Sequence, residues 1–362
     1  MSSPLFTPLS LGQLTLPNRV VMAPMTRSRA VENNAANALM AEYYAQRADA
    51  GLLITEGVAP SPNGLGYARI PGLYSEAQVA GWKLVADAVH DRGGRIFAQL
   101  MHTGRIGHPA NMPEGAELVA PSAITAPGQM YTDAQGPQDH PEPRQMTADD
   151  LAQARDEYVH AARNAVAAGL DGVELHAANG YLLDQFLQPA ANQRTDAYGG
   201  SADNRNRFVL EVAEAVADAI GPDKVGIRVS PGGVFNAVGP FEGQDAQFAA
   251  LAEGLGKLGL AFLHVVDHSA MGAPPVSDAL KARLKAAFGG PFILVGGYDR
   301  ARGDADLAAG KADLIAFGRP YLANPDLVTR LERNAPLNSP RMDLFYTPGA
   351  EGYTDYPTLD AD

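Results

Sequence analysis

Short apolar runs rich in β-forming residues recur along this 362-residue chain, and most are followed by a segment with helical periodicity. That alternation is typical of parallel strands joined by crossover helices. The eight runs are RVVMAP from residue 19, GLLITEG from 51, RIFAQLM from 95, DGVELH from 171, KVGIRVS from 224, LAFLHVV from 260, PFILVGG from 291 and DLIAFG from 313. Because no composition shift marks a domain boundary, they predict an α/β fold in which residues 1–362 form a single (β/α)8 (TIM) barrel domain.

A doubly wound open sheet is the alternative fold. Its dinucleotide-binding form needs a glycine-rich turn that leaves a strand and opens a helix. The G-x-G-x-x-G pattern in this chain, GLGKLG at residues 254–259, has the reverse order, since it closes a helix and precedes the strand LAFLHVV. We therefore interpret it as a helix end. Another helix has a clear beginning, because Thr147 and Asp150 match a capping box.

Three segments fall outside the repeat. Residues 1–18 precede the first strand, and we expect them to cover the floor of the barrel. Residues 102–146 are rich in proline and glycine and far longer than a usual connection after a strand, so we predict a lid loop there. Residues 334–362 form an aromatic-containing C-terminal tail that we expect to pack back on the barrel.

Charge and residue usage argue against several kinds of partner. The chain has 28 Lys and Arg against 41 Asp and Glu, a net charge of −13, which disfavours non-specific binding to nucleic acid or to an anionic membrane. Because it has no cysteine, disulfides, thiolate nucleophiles and iron–sulfur clusters are excluded. Neither a secretory signal nor a membrane-length apolar run is present. We expect a cytoplasmic protein that is a monomer or a weak homo-oligomer.

Polar residues stand at the predicted carboxyl ends of the strands, where barrel enzymes place their chemistry. They are Thr26, Glu56, Gln99, His102, His176 and Arg228. Any one of them alone would be explained by a buried carbonyl that needs a partner, but a ring of such residues indicates a site.

The last two predicted strands end in glycines. Gly296 and Gly297 follow the seventh strand, and Gly318 with Arg319 follows the eighth. Tight turns alone would explain the glycines, but with the arginine they suit a phosphate held by backbone N–H groups and a guanidinium. Together with the polar ring, this pattern suits a flat, phosphorylated heterocycle such as FMN. Arg228 would then lie near the pyrimidine edge of the flavin and stabilise the reduced ring.

Other chemistries are less well supported. A Schiff-base aldolase needs a lysine inside the barrel, but every lysine falls in a predicted helix, loop or strand start. A metal-dependent barrel hydrolase stays open as an alternative, although no H-x-H or H-E-x-x-H spacing supports a metal site and we predict none. Its candidate ligands are Glu56, His102, His176, Asp267 and His268. A flavin-binding redox sensor is an alternative from another class.

Seven longer motifs carry a family resemblance. They are MAPMTR at 22–27, AEYYAQRA at 41–48, QLMHTGR at 99–105, HAANGYLLDQFL at 176–187, NQRTDAYGGS at 192–201, FGRPYLANPDL at 317–327 and GYTDYP at 352–357. On these residues the chain resembles the Old Yellow Enzyme family of FMN-dependent ene-reductases, in its classical bacterial branch.

The resemblance implies a role for each matching residue. It implies that tightly bound, non-covalent FMN contacts Pro24, Met25, Thr26, Gly57, Gln99, Arg228, Gly296, Gly297, Gly318 and Arg319. His176 and Asn179 match the pair that hydrogen-bonds the carbonyl or nitro oxygen of the substrate, and Tyr181 matches the proton donor. Tyr67 and Tyr346 match positions that line the substrate pocket.

The implied reaction has two halves. NAD(P)H, with NADPH as the expected donor, gives a hydride to FMN N5 and leaves. An α,β-unsaturated carbonyl or nitro compound then accepts the hydride at Cβ and a proton from Tyr181 at Cα. One departure from the family pattern is Met101 in QLMHTGR, where most members have tryptophan. A flexible thioether there is expected to alter the substrate range.

Overall fold

Eight parallel strands close into a barrel within residues 3–359, which are the residues that the computed structural model describes. They are β1 (Val20–Met22), β2 (Leu52–Val58), β3 (Ile96–Leu100), β4 (Gly172–Ala177), β5 (Val225–Val229), β6 (Phe262–Val266), β7 (Phe292–Val295) and β8 (Leu314–Phe317). Each strand pairs with its neighbours in chain order, and β8 pairs with β1 to complete the ring. Every run predicted from the sequence forms one of these strands, so the predicted barrel is confirmed.

Helices follow the strands, and their apolar faces pack on the outside of the barrel. They are α1 (Ala38–Ala45), α2 (Glu76–His90), α3 (Ala148–Ala167), α4 (Leu182–Leu187), α5 (Ala202–Ile220), α6 (Gln244–Lys257), α7 (Asp278–Phe288), α8 (Arg300–Ala308), α9 (Arg319–Ala323) and α10 (Leu327–Arg333). The predicted capping box of Thr147 and Asp150 begins α3. The glycine pattern at 254–259 ends α6, as predicted. In the described chain, no helix combines the length and the apolar character needed to cross a membrane.

The amino-terminal end of the barrel is closed by a hairpin in which Leu9–Leu11 pairs with Leu14–Leu16. Leu11 and Leu16 are completely buried and belong to the same apolar cluster as Phe97 inside the barrel. The hairpin therefore covers the floor, as expected for residues 1–18, and leaves the opposite end of the barrel open.

The long segment after β3 carries its own β-structure. A hairpin pairs Gln129–Thr132 with Gly136–Asp139, and Val119–Ala120 pairs with Arg144–Gln145. The segment predicted as a lid loop at 102–146 is therefore partly ordered by backbone hydrogen bonds. Its residues contribute one wall of the barrel mouth, as described below.

Two buried arginines in the segment after β1 hold the tail. Arg29 donates hydrogen bonds to the backbone oxygens of Leu344 (3.0 Å), Phe345 (2.7 Å), Gly349 (3.3 Å) and Glu351 (3.1 Å). Arg27 donates to the backbone oxygen of Gly352 at 2.6 Å. The ring of Tyr353 stacks on that of Tyr43 with a centroid separation of 4.0 Å. These contacts hold the tail so that Tyr346, which lies between Phe345 and Gly349, is at the barrel mouth.

Candidate active site

Two cavities meet at the open end of the barrel, and Phe235 lines both. The smaller cavity has a volume of about 440 Å³ and is lined mainly by residues at or just beyond the ends of the strands. The sequence-predicted cofactor residues on its wall are Pro24, Met25, Arg228, Gly296, Gly297, Gly318 and Arg319, and Asn179 joins them. The structure thus brings together the glycines, the two arginines and the segment after β1.

The smaller cavity is lined by two guanidinium groups that have no carboxylate ion-pair partner within the described residues. Arg228 is 7% exposed, and its Nε has no hydrogen-bond partner within the described residues. Arg319 also lines the cavity without a carboxylate partner in residues 3–359. The one lining carboxylate, Asp267, is already bound by the Lys281 ammonium at 2.6 Å. A buried guanidinium without a partner is costly, so the cavity suits an anionic or acceptor-rich ligand.

Backbone geometry shows which glycines are required by packing within the chain and which leave space for a phosphate. An ideal Cβ built on Gly296 would lie 2.2 Å from the backbone oxygen of Asp267, so close packing alone requires that glycine. A Cβ at Gly318 would meet only Met25 Sδ, at 3.7 Å, so none of the residues 3–359 fills the space beside it. Gly318 and Arg319 are therefore the better candidates for contact with a phosphate, and the cavity as a whole fits FMN.

The larger cavity has a volume of about 900 Å³ and is built mostly from loops. Tyr67, Tyr181 and Tyr346, which were predicted to lie near the substrate, line it, and so does Thr26, which was predicted to contact the cofactor instead. The segment 102–146 contributes Ile106, Gln129, Met130, Tyr131 and His140. A molecule in this cavity would contact the tail, the predicted lid segment and the barrel together.

His176, the last inward residue of β4 before the loop, has a defined proton position. The backbone N–H of Ala178 donates to its Nδ1 at 3.3 Å. Burial and the nearby Arg228 guanidinium hold the pKa of His176 well below its usual range. A neutral imidazole that accepts at Nδ1 must carry its proton at Nε2. His176 therefore presents an N–H donor that no described residue uses.

Asn179 is held by its backbone rather than by its side chain. It adopts a positive φ of 61°, which asparagine tolerates better than most residues. Its N–H donates to Ser230 Oγ at 2.8 Å, and its carbonyl accepts from Asn236 Nδ2 at 2.7 Å. Its side-chain Oδ1 is buried without a partner among residues 3–359. The amide is thus positioned but unused, as expected for a ligand-binding group.

Tyr181 begins α4, and its hydroxyl lies 3.1 Å from that of Tyr67. Burial raises the pKa of both hydroxyls, so each keeps its proton at neutral pH. The ring of Tyr181 meets that of His176 edge to face, with centroids 4.9 Å apart. His176, Tyr181 and Tyr67 therefore form one contiguous group.

Gly57, Gln99 and Met101 do not line either cavity, although the Gln99 carbonyl oxygen, which has no hydrogen bond within the described residues, is not sealed off. An ideal Cβ on Gly57 would lie 2.6 Å from both Sδ and Cε of Met101, so this glycine makes room for the methionine. Met101 is 2% exposed, and Tyr67 and Tyr181 pack against its cluster. Its route to the substrate is therefore through the tyrosines. Gln99 hydrogen-bonds the carboxylate of Glu174 at 2.8 Å.

Several lining residues were missed by sequence reasoning, among them Phe235, Asn236 and Arg69. Phe235 and Asn236 lie in the loop after β5, and Arg69 binds the backbone oxygen of Tyr346 at 2.8 Å. The polar Asn236 within the apolar stretch GVFNAVG was the available signal for that loop. For the alternative hydrolase, no group of three or more His, Asp or Glu side chains converges as a metal site in the described part of the chain.

Comparison with known proteins supplies the relatives of this chain. The sequence profile of the NADH:flavin oxidoreductase / NADH oxidase family matches residues 4–338. A probable flavin mononucleotide-dependent alkene reductase from Leishmania infantum is 41% identical over 356 residues, covering 97% of this chain and 96% of that protein.

Solved structures agree with this relationship. Morphinone reductase is 44% identical, with a TM-score of 0.94 and coverage of 99% of this chain and 97% of that chain. The Old Yellow Enzyme homologue from Zymomonas mobilis is 40% identical, with a TM-score of 0.94 and coverage of 98% and 99%.

Proposed function

This chain belongs to the NADH:flavin oxidoreductase / NADH oxidase family and is an FMN-dependent ene-reductase of the Old Yellow Enzyme kind, and from that premise we propose the roles of its site residues. His176 and Asn179 bind the activating oxygen of an α,β-unsaturated carbonyl or nitro compound, and Tyr181 protonates its Cα. FMN, when bound in the smaller cavity, accepts a hydride from NAD(P)H and supplies it to the alkene.

The proton position of His176 carries this proposal. Because Nδ1 accepts the Ala178 N–H, Nε2 is left as a donor, and the Nδ2 group of Asn179 is a second N–H donor. Hydrogen bonds from both groups to one substrate oxygen would stabilise the negative charge that develops there as hydride reaches Cβ. Since the pKa of His176 is lowered, this donor is a neutral N–H and not an imidazolium.

Tyr181 is the group best suited to deliver the proton. Its hydroxyl lines the larger cavity and keeps its proton because burial raises its pKa. The Tyr67 hydroxyl at 3.1 Å can donate to the Tyr181 oxygen as its proton leaves. The resulting phenolate charge is thereby shared, which lowers the cost of the transfer.

Tyr181→Phe and its matched control Tyr67→Phe test these roles with the FMN-loaded protein. We expect Tyr181→Phe to slow turnover of 2-cyclohexenone about 10²-fold, while a quinone, which needs no proton at carbon, is reduced at nearly the wild-type rate. Tyr67→Phe should slow the enone by much less. Equal losses on both substrates in Tyr181→Phe would contradict proton donation by Tyr181.

The redox-sensor alternative predicts a different result for the wild-type protein. Anaerobic mixing of the yellow protein with NADPH should bleach its visible flavin bands, and a subsequent addition of 2-cyclohexenone should restore them with many turnovers. A sensor would bleach but would not turn over the enone.

We also propose that the protein acts in the cytoplasm as a single domain, a monomer or a weak homo-oligomer, without nucleic acid as a partner. Support comes from the net charge of −13 and from the small molecules that the cavities admit. Light scattering of the holoenzyme at micromolar concentration should give the monomer mass or a concentration-dependent dimer.

A further inference from the structure

A layer of polar side chains crosses the barrel just below the two cavities. It consists of Gln99 on β3, Glu174 on β4, Arg228 on β5 and His264 on β6, which are 2%, 0%, 7% and 0% exposed. Below this layer the interior is apolar: an ideal Cβ on Gly226 would lie 2.2 Å from the ring of Phe262. Only Arg228 and Gln99 of the four were expected to contact the cofactor, so Glu174 and His264 need a separate explanation.

Two hydrogen bonds fix the orientation of the layer. Gln99 Nε2 donates to Glu174 Oε1 at 2.8 Å, and His264 Nδ1 lies 2.7 Å from Glu174 Oε2. An ionised carboxylate only accepts hydrogen bonds, so the amide of Gln99 must offer its NH2 to Glu174. His264 must likewise carry a proton at Nδ1. The Gln99 carbonyl oxygen is then the group left for a ligand.

That choice of atom has a chemical meaning for FMN. The oxidised isoalloxazine ring has a single ring N–H, at N3, and a fixed amide oxygen is the matching acceptor. If the Gln99 amide could rotate by about 180°, it would present its NH2 group to the ligand instead, and it would no longer select a ring N–H. Glu174 removes that freedom before the ligand arrives, which is preorganisation of the binding group.

The charge of Glu174 is the second consequence. A buried carboxylate costs free energy, and Glu174 lies close to Arg228, because Arg228 is paired in register with His264, whose Nδ1 is 2.7 Å from Glu174 Oε2. The layer therefore contains one negative and one positive charge rather than the isolated guanidinium. Charge near the pyrimidine edge sets how readily a flavin is reduced, because the reduced ring carries more negative charge.

We propose that Glu174 is a positioning residue that fixes Gln99 with its oxygen toward FMN and opposes the charge of Arg228, and that His264 holds Glu174 in place. The inference rests on FMN occupying the smaller cavity, as in the proposed function. Glu174 thus keeps the reduction potential of the bound flavin below the value that Arg228 alone would set, which favours hydride delivery to the alkene.

Glu174→Gln removes the charge and keeps the shape. With FMN bound, its midpoint potential should move upward, so that the ratio of reduced to oxidised flavin at a fixed potential rises about tenfold, or roughly 30 mV for a two-electron couple. The resonance of FMN labelled with ¹⁵N at N3 should also shift. Glu56→Gln is the matched control, because Glu56 is also buried, on β2, two strands from β4, and contacts Tyr44. At pH 8, above the pKa of about 7 to which burial raises Glu56, the control should leave the potential unchanged.

His264 gives an independent pair of variants in case Glu174→Gln does not fold. His264→Asn keeps an N–H donor near the Nδ1 position and should retain the wild-type potential. His264→Ala leaves Glu174 Oε2 without its partner, so that Glu174 is no longer held in place, and should raise the potential toward that of Glu174→Gln.

The inference is overturned if Glu174→Gln binds FMN with an unchanged potential and N3 resonance, or if the two His264 variants have equal potentials. Failure of the wild-type protein to reduce an enone would refute the proposed function instead, and it would leave these potentials measurable.

Discussion

The two cavities at the barrel mouth are built in different ways. The smaller one is formed by residues at the ends of β1, β5, β6, β7 and β8, whose positions are fixed by the closed sheet. The larger one is formed by loops, the segment 102–146 and the tail, which are held by arginine side chains on backbone carbonyls. The difference indicates that the barrel determines cofactor binding and that the attached segments determine which substrates are admitted.

Arg228→Met should have the largest effect on FMN binding in the smaller cavity. Losing a buried guanidinium that meets the flavin should weaken FMN binding by about 10²–10³-fold. The apoprotein should at the same time lose about 1–3 kcal/mol of stability, because the buried Glu174 carboxylate is left without the opposing charge of Arg228. Fluorescence titration with FMN and chemical denaturation of the apoprotein measure the two effects.

Arg319→Met is the control for the phosphate end. It should remove the preference for FMN over riboflavin, whereas Arg228→Met should weaken both ligands alike. A loss of FMN preference in Arg228→Met would contradict the assignment of Arg228 to the ring.

His176→Ala should impair the reaction with the substrate and leave FMN binding unchanged. FMN binding and flavin reduction by NADPH should stay near wild type, while reoxidation by 2-cyclohexenone slows about 10²–10³-fold, because an oxyanion donor is lost. In the wild type, enone binding should not change between about pH 6.5 and 8, since the lowered pKa of His176 keeps its ring neutral across that range. Anaerobic stopped-flow absorbance follows both half-reactions.

His102→Ala is the matched control for this experiment. His102 is also buried at a strand end, and its Nδ1 likewise accepts a backbone N–H two residues on, that of Gly104. Neither histidine lines the two cavities, but the ring of His176 contacts that of Tyr181, whereas His102 makes no such ring contact within the described residues, and burial lowers its pKa to about 3. Its removal should reduce stability and leave reoxidation intact. Equal slowing in both variants would mean that the His176 effect is structural.

Sequence reasoning reached the barrel and most of the smaller cavity for a physical reason. Strands and helices have periods of two and 3.6 residues, and the ends of parallel strands meet at one edge, so linear spacing predicts three-dimensional position there. Loops have no period. Phe235 and Asn236 were missed because contacts with Asn179 and the tyrosines, not local sequence, set their place. Arg29 was missed because its partners are carbonyls more than 300 residues away.

Arg29→Met and Arg47→Met should act on opposite cavities. Both side chains are buried and donate to backbone carbonyls, Arg29 to the tail and Arg47 to Tyr321 and Leu322 in α9, next to Arg319. Each variant should lose about 3 kcal/mol of unfolding free energy, because buried carbonyls are left unpaired. Arg29→Met should raise the KM for an enone about tenfold with normal FMN affinity. Arg47→Met should weaken FMN about tenfold with a normal KM.

The crossed design supplies its own control, since the two variants lose similar hydrogen bonds. If both raised the KM and weakened FMN together, the cavities would not be independent, and the division between barrel and attached segments would fail.

Met101→Trp should have the smallest effect and test the border between the cavities. Met101 packs on Gly57 below and against the Tyr67 and Tyr181 group above, so the larger indole must push one of them. We expect a loss of about 1–3 kcal/mol from overpacking and a change of several-fold in relative kcat/KM between small and bulky enones, with FMN still bound. Met101→Leu, which conserves volume, should leave the substrate profile unchanged. An unchanged profile in a folded Met101→Trp variant would show that the tyrosines do not transmit its size to the substrate, and Met101 would then be a packing residue alone.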